Sequence, residues 1–201
     1  MKIVRLMHDD SPENPCEWDG WQLYSFSRKH INHRDPSEFN PSEDEELTKK
    51  LEGGLAFFLD CYQHSGTAWS LHGEGMQCQW DTARNAGVLM WGDEESGLGP
   101  KTYAERRANA NSFLETYNAW CNGAVYGFSV TDHKLMPCGH YEDEDLGGCF
   151  GWYDDGMGAL KGMEDEVKAL VGGDLEVSFE GDAAWLAQYH DFGQEKKRRT
   201  A

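Results

Sequence analysis

The sequence predicts an α+β fold: a mainly antiparallel sheet with one long amphipathic helix and two or three shorter helices. Three observations predict it. Short runs of alternating apolar and polar residues recur along the chain, as half-buried strands require. One segment, Lys101–Cys121, repeats its apolar positions at spacings of three and four over more residues than a strand uses. The strand-like runs come in groups broken by separated helices, whereas a parallel α/β sheet alternates strand and helix.

The elements follow in order. Lys2–Met7 reads as the first strand. Asp9–Asp19, with Pro12, Asn14 and Pro15, reads as a turn-rich loop whose Asp10, Ser11, Asn14 and Asp19 side chains suit bonds to nearby amides. Trp21–Arg28 alternates aromatic and polar residues and reads as a second strand, with a polar loop over Lys29–Asn40. Pro41–Glu46 is a helix start, in which Ser42 can cap, Glu45 stands three residues later, and the acids complement the helix N-terminus. That helix ends near Gly53-Gly54. Gly54–Gln63, Ala68–His72 and Gly87–Trp91 read as three strands whose short connections suit an antiparallel meander.

The long helix carries Tyr103, Arg107, Ala110, Leu114, Tyr117 and Cys121 at helical spacing and stops at Asn122-Gly123. Ala124–Thr131 is another strand, and an acidic loop, Tyr141–Asp145, leads into the strand Gly148–Tyr153. Gly158–Val171 is an amphipathic helix closed by Gly172-Gly173. Leu175–Phe179 reads as a last strand and Asp182–His190 as a short helix.

A chain of 201 residues points to one domain, over 1–193, with room for a large insertion, followed by a basic, frayed tail at 194–201. An aromatic content of 12%, with eight Trp, excludes a disordered chain. No run approaches the ~18 consecutive apolar residues of a membrane-spanning helix. Met1–Met7 soon meets His8-Asp9-Asp10, which is too short for a secretory apolar region, so a cytoplasmic protein is expected. In that compartment the six cysteines are expected as thiols, ligands or core residues rather than disulfides.

Thirty-six acids against 18 bases give a net charge of −18. Four of the bases are Lys196, Lys197, Arg198 and Arg199; without them 14 bases face 36 acids, a balance of −22. Such a body repels a phosphate backbone and an anionic membrane surface, so neither nucleic acid nor membrane is an expected direct partner. A basic protein surface is, because opposite potentials speed encounter.

Several motifs fail on inspection. Gly156-Met157-Gly158 through Gly162 sits between a predicted strand and helix, but its spacing departs from the dinucleotide fingerprint and too little chain follows for further βαβ units. Cys138, His140 and Cys149 supply three soft ligands for zinc without the paired knuckles of a closed site, and no cofactor is expected. Asp9, Asp10 and Glu13, like Asp143-Glu144-Asp145, do not fit a calcium loop.

Five blocks taken together carry a resemblance. They are Asp10-Ser11-Pro12-Glu13-Asn14-Pro15-Cys16-Glu17-Trp18-Asp19, His64-Ser65-Gly66, Cys78-Gln79-Trp80-Asp81, Gly123-Ala124-Val125-Tyr126-Gly127-Phe128 and Cys149-Phe150-Gly151-Trp152-Tyr153. In order and spacing they resemble a family of uncharacterised proteins encoded in bacteriophage and prophage genomes, over roughly three quarters of the chain. The chain departs from that pattern at Cys16, where the family has a base, and at Gln63, where it has an Asp. The resemblance implies a phage accessory protein in a bacterial host and implies no reaction.

Two expectations about function follow. The first is an acidic inhibitor of anti-CRISPR or anti-restriction type, which binds a basic nucleic-acid-binding host defence protein. Glu43, Asp44, Glu45 and Glu46, with Glu142, Asp143, Glu144 and Asp145, would stand in for phosphates. The helix-start run also has a sufficient structural explanation in capping. The alternative is a small Cys/His- or metal-dependent hydrolase acting on a nucleotide signal or a host protein. His64, Cys78, Asp81 and Cys149 all fall near predicted strand ends, and a thiol activated by His64, itself oriented by Asp81, would form a Cys–His–Asp relay. The same residues also suit turns and core packing. Of the tryptophans, those at 18, 21, 80, 91, 120, 152 and 185 are core candidates, with any exposed subset serving as binding anchors.

Overall fold

The computed structural model describes residues 1–92, 100–156, 158–172 and 177–192. In chain order its strands are β1 (Lys2–His8), β2 (Trp21–Ser25), β3 (Ala56–Gln63), β4 (Thr67–Leu71), β5 (Thr82–Trp91), β6 (Val125–Leu135), β7 (Tyr141–Tyr153) and β8 (Val177–Glu180). The helices are α1 (Glu45–Gly53), α2 (Tyr103–Cys121) and α3 (Ala159–Val171), with 3-10 turns at Pro15–Glu17, Pro36–Phe39 and Ala184–Gln188. The fold is α+β and mostly antiparallel, as the sequence predicts. Where one domain is expected over 1–193, the backbone divides into two compact units. The second, Glu13–Asn122, is inserted between Met1–Pro12 and the segment from Gly123 onward, which together make the first.

In the first unit the sheet runs β7-β6-β1-β8, antiparallel except for the β1–β8 pair. Alternation buries Val4 and Leu6 of β1 and Tyr126, Phe128 and Val130 of β6 on one side. Against them α3 lays Leu160, Met163, Val167 and Val171, spaced by three and four. The acidic segment Tyr141–Asp145, expected as a loop, is the first part of the 13-residue β7. Its own residues 142–145 are all acidic, so hydrophobic periodicity does not report it, although His133 faces Asp143 and Lys134 faces Glu142 across the ladder. The expected last strand begins at Val177, Leu175 lying outside the described residues, and the expected short helix is the 3-10 turn Ala184–Gln188. Met157 and the tail Gln194–Ala201 also lie outside the described residues.

In the second unit the order is β2-β5-β3-β4 and every pair is antiparallel. A meander would set β5 beside β4. Instead β5 lies on the opposite side of β3, so residues 72–81 cross from one flank of β3 to the other. β5 also starts at Thr82 rather than Gly87, with a register shift and Asn85 at φ 49. Its first residues lack an apolar alternation, which is why they do not read as strand. The helix α1 is capped two residues later than expected. Asp44, not Ser42, accepts the Leu47 N–H at 2.9 Å, and this register turns Leu47 into the core.

Helix α2 begins with a capping box between Thr102 and Glu105. Its buried stripe is Ala110, Leu114 and Tyr117, shorter than the expected stripe, because Tyr103 is exposed and Arg107 pairs with Glu74. This stripe packs on Trp21, Leu23, Leu59, Trp69, Leu71 and Leu89. The same helix closes the edge of the sheet. Asn118 accepts the Trp69 N–H at 2.7 Å and donates to the Trp69 carbonyl at 2.9 Å. One turn on, Asn122 does the same for Thr67, at 2.8 Å both ways. Two side-chain amides thus take the place of a neighbouring strand along β4. Asn118→Ala is expected to strand both backbone groups of a buried residue and lower stability by about 2 kcal/mol. Urea unfolding checks it; a loss under about 0.5 kcal/mol would show that water replaces the amide.

Candidate functional site

Three of the four residues expected in a catalytic cluster do come together. His64 follows the end of β3, and Cys78 and Asp81 end the crossing segment that leads into β5. The Gln63 N–H donates to the Asp81 carbonyl at 2.8 Å, which ties the two chain segments side by side. His64 Nδ1 lies 3.5 Å from Asp81 Oδ2, and the Cys78 thiol donates to the same oxygen at 3.4 Å. The carboxylate is therefore the middle member. A relay that activates a thiol needs the imidazole next to sulfur, and Asp81 occupies that place. Thr82 fixes the turn, accepting from the Cys78 N–H at 3.0 Å and donating to the Met76 carbonyl at 2.6 Å. Cys149 belongs to the other unit, exposed on β7, where its thiol donates to the Phe150 carbonyl at 3.4 Å.

A second carboxylate–imidazole pair escapes sequence reasoning. Asp60, in the middle of β3, is 1% exposed. Its Oδ1 meets His72 Nδ1 at 2.8 Å and accepts the Asn85 N–H at 2.9 Å. Its Oδ2 accepts the Gly73 N–H at 2.9 Å and the Gln77 side-chain amide at 3.0 Å. Burial alone would raise this carboxyl; the bonds from Gly73, His72, Asn85 and Gln77 outweigh it and hold the group well below the usual carboxylate range. The signal that could have found it is an Asp inside the apolar run Ala56–Tyr62. Its partners all belong to the crossing segment or the start of β5, so Asp60 acts first as the anchor of that crossing.

The two acidic runs lie in different units. Glu43, Asp44, Glu45 and Glu46 are exposed at the start of α1. Asp44 is spent on the cap, while Glu45 pairs with Lys49 at 2.8 Å and Glu46 with Lys50 at 3.5 Å, one turn along the helix. Asp44, Glu46 and Lys50 also border a shallow pocket floored by Phe39, Leu47 and Met90. The second run lies on the β6–β7 hairpin. Strand β1 accompanies β6 as far as Asp132 and Met1 still bonds His133 both ways, so only the part beyond His133 is a two-stranded arm. On one face of the hairpin Asp132, Glu142 and Glu144 surround Lys134, whose ammonium bonds Glu144 and lies 3.4 Å from Asp132. Those bonds, Glu144 first, hold the Lys134 ammonium above its ordinary value. The other face carries Asp143, paired with His133, and Asp145, which accepts the Gly147 N–H at 2.9 Å. His133 stacks on Tyr141 with ring centres 4.2 Å apart.

Burial pushes the Cys16 thiol up, Cys61 to about 11 and Cys121 to about 12, so these three are neutral packing groups at physiological pH. Cys138 is exposed, and among the described residues no three His, Cys, Asp or Glu side chains are grouped for a metal ion. Of the tryptophans, Trp21 and Trp69 are buried, whereas Trp18, Trp80 and Trp185 are exposed. Among the described residues no helix is long and apolar enough to cross a membrane. No protein-family model, curated protein or solved structure matches the chain.

Proposed function

We propose that this protein works by binding: it presents carboxylates to a cationic, nucleic-acid-binding surface of another protein, a bacterial defence protein if the phage-like sequence blocks reflect its origin. The observation that carries this reading is the charge balance. Thirty-six acids against 18 bases leave at least 18 carboxylates (36 − 18) without a lysine or arginine of their own, however completely the bases are used. The β6–β7 arm is the element best shaped to present them. Its outer end, beyond His133, has only two strands, and with the adjoining rungs it carries five acids, at 132 and 142–145, against Lys134, His133 and the N-terminal ammonium 3.7 Å from Asp132. Glu142 and Glu144 share a face, about 6.8 Å apart at the rise of an extended strand. That separation is on the scale between successive phosphates of a nucleic-acid strand, so both can pair with arginines or lysines arranged for a backbone. The run at Glu43–Glu46 contributes less, since three of its four members are engaged within α1.

The test combines capture and kinetics. Immobilised wild-type protein should retain a nucleic-acid-binding protein from bacterial lysate and release it at high salt. The double reversal Glu142→Lys and Glu144→Lys should slow association with that protein about ten-fold while leaving the melting temperature close to wild type. Retention that ignores salt, or an unchanged association rate in the reversed variant, would remove the reading.

A further inference from the structure

The segment after β8 holds a feature that neither the core nor the acidic arm uses. Ala183, Leu186 and Phe192 face the core of the first unit and are almost fully buried. The Ala183 N–H donates to the Leu6 carbonyl at 3.0 Å, and His190 meets Glu164 of α3 at 3.0 Å while Lys168 meets Asp191 at 2.9 Å. The segment is therefore clamped at both ends, and residues flanking its buried positions are held outward. These are Asp182, Trp185 and Tyr189, at spacings of three and four, close to one turn of a 3-10 helix or an α-helix.

Their arrangement is ordered. Trp185 is 42% exposed and stands nearly perpendicular to the buried Tyr126, at 6.0 Å and 81°. Tyr126 is itself packed on His8, at 5.0 Å. Tyr189, 72% exposed, stands 6.2 Å from Trp185 at 71°. Two aromatic rings at a steep angle are thus offered to solvent on a rigid base. Asp182 is exposed beside them. One oxygen accepts the His8 N–H at 2.9 Å and the other lies 3.4 Å from His8 Nδ1, bonds that hold the carboxylate ionised and oriented. Burial first, and then the Asp154 charge, push the Tyr126 phenol up. Aromatic faces and a carboxylate on successive turns suit a planar cation, which can lie on a ring and pair edge-on with the acid.

We propose that Asp182, Trp185 and Tyr189 form a subsite for an arginine side chain of the cationic partner. This rests on the binding function proposed above and adds a specific anchor to its diffuse charge. Arginine is favoured over lysine because a guanidinium stacks on aromatic planes and bonds a carboxylate through two donors, whereas an ammonium is a compact, strongly hydrated charge.

The test uses the full chain labelled with nitrogen-15 and titrated with N-acetyl-arginine amide or N-acetyl-lysine amide. The indole signal of Trp185 is assigned from its disappearance in Trp185→Phe. Arginine amide should shift that signal saturably, and lysine amide roughly three-fold more weakly. Tyr189→Ala and Asp182→Asn, both at exposed positions, should each weaken the arginine response by a similar factor. A Trp185 signal that does not move, that answers both amides equally, or that is indifferent to both substitutions would overturn the subsite. The binding reading has a separate outcome. If the wild-type chain captures no basic protein while arginine amide still moves Trp185, the reading fails and the subsite stands. If capture succeeds equally with Tyr189→Ala, the subsite fails and the reading stands.

Discussion

Asp60→Ala is expected to lower the stability of the second unit by about 3 kcal/mol or more, the range for breaking a buried, charge-assisted network. The carboxylate gathers four donors from three separated points, His72 and Gly73 at the end of β4, Gln77 in the crossing segment, and Asn85 in β5. Removing it leaves two backbone amides and a side-chain amide without their acceptor beneath a segment that must cross β3. Asp60→Asn should also destabilise, because its amide would direct donors at donors. His72→Ala removes only one bond, at a half-exposed ring, and should cost about 1 kcal/mol. The pH dependence separates these cases. The carboxyl is held below its unfolded value of about 3.9, so its contribution is present in full at about pH 5 and above. It is lost as pH falls from about 5 toward the depressed folded value. Wild type should therefore lose its advantage over Asp60→Ala as acid is added, in urea titrations between pH 7 and pH 2. A gap that stays constant over that range would mean that the carboxylate charge contributes nothing.

Asp60 also marks where the sequence stops being informative. Strand β3 is legible from its apolar run, and the ends of α1 and α3 from Gly54 and Gly172, both at positive φ. What the run cannot show is that one polar residue inside it is matched by donors 12 to 25 positions away. The same limit explains the other differences. Pro41–Glu46 contains two residues able to cap a helix, Ser42 and Asp44, and local chemistry does not choose between them. In the fold Asp44 takes the cap and Leu47, whose N–H it accepts, is buried. Residues 141–145 form a strand because β6 supplies His133 and Lys134 opposite them, a pairing invisible to a reading based on apolar spacing.

At the candidate site, only the place of His64 at the end of β3 was legible. Cys78 and Asp81 reach it because residues 72–81 cross β3 and β5 starts at Thr82, neither of which apolar spacing reports. Which side chain lies in the middle depends on the path of the crossing segment, and that path sets Asp81 between the other two. The consequence reaches function, since the arrangement that would activate a thiol is replaced by one that holds two side chains against a turn. The tryptophans make the same point. Trp21 and Trp185 are equivalent in composition, yet one lies beneath α2 and the other is held outward by its neighbours Ala183 and Leu186.

Gly181→Ala should have the second large effect, and it tests whether that outward display depends on the backbone. Gly181 follows β8 at φ +96, a conformation that L side chains rarely adopt. A Cβ there would lie 2.2 Å from the Leu6 carbonyl oxygen and 3.0 Å from its carbon. Leu6 belongs to β1, bonded on both sides to β6 and β8, so it has no room to retreat. The same oxygen accepts the Ala183 N–H, so the displaced backbone would lose the bond that starts the 3-10 turn. Strain and overlap together should cost about 4 kcal/mol. Gly123→Ala separates the two terms, because Gly123 is also at positive φ, +68, with nothing within 4 Å of its Cβ position. It should cost about 1 kcal/mol for the backbone conformation alone. Urea unfolding of both variants measures the difference, and hydrogen exchange locates it. Amides of Ala183, Leu186 and His190 should lose protection in Gly181→Ala before those of β6 do. Equal destabilisation by the two substitutions would mean that the close approach to Leu6 carries no cost, and that the platform under Trp185 and Tyr189 is held by its side chains alone.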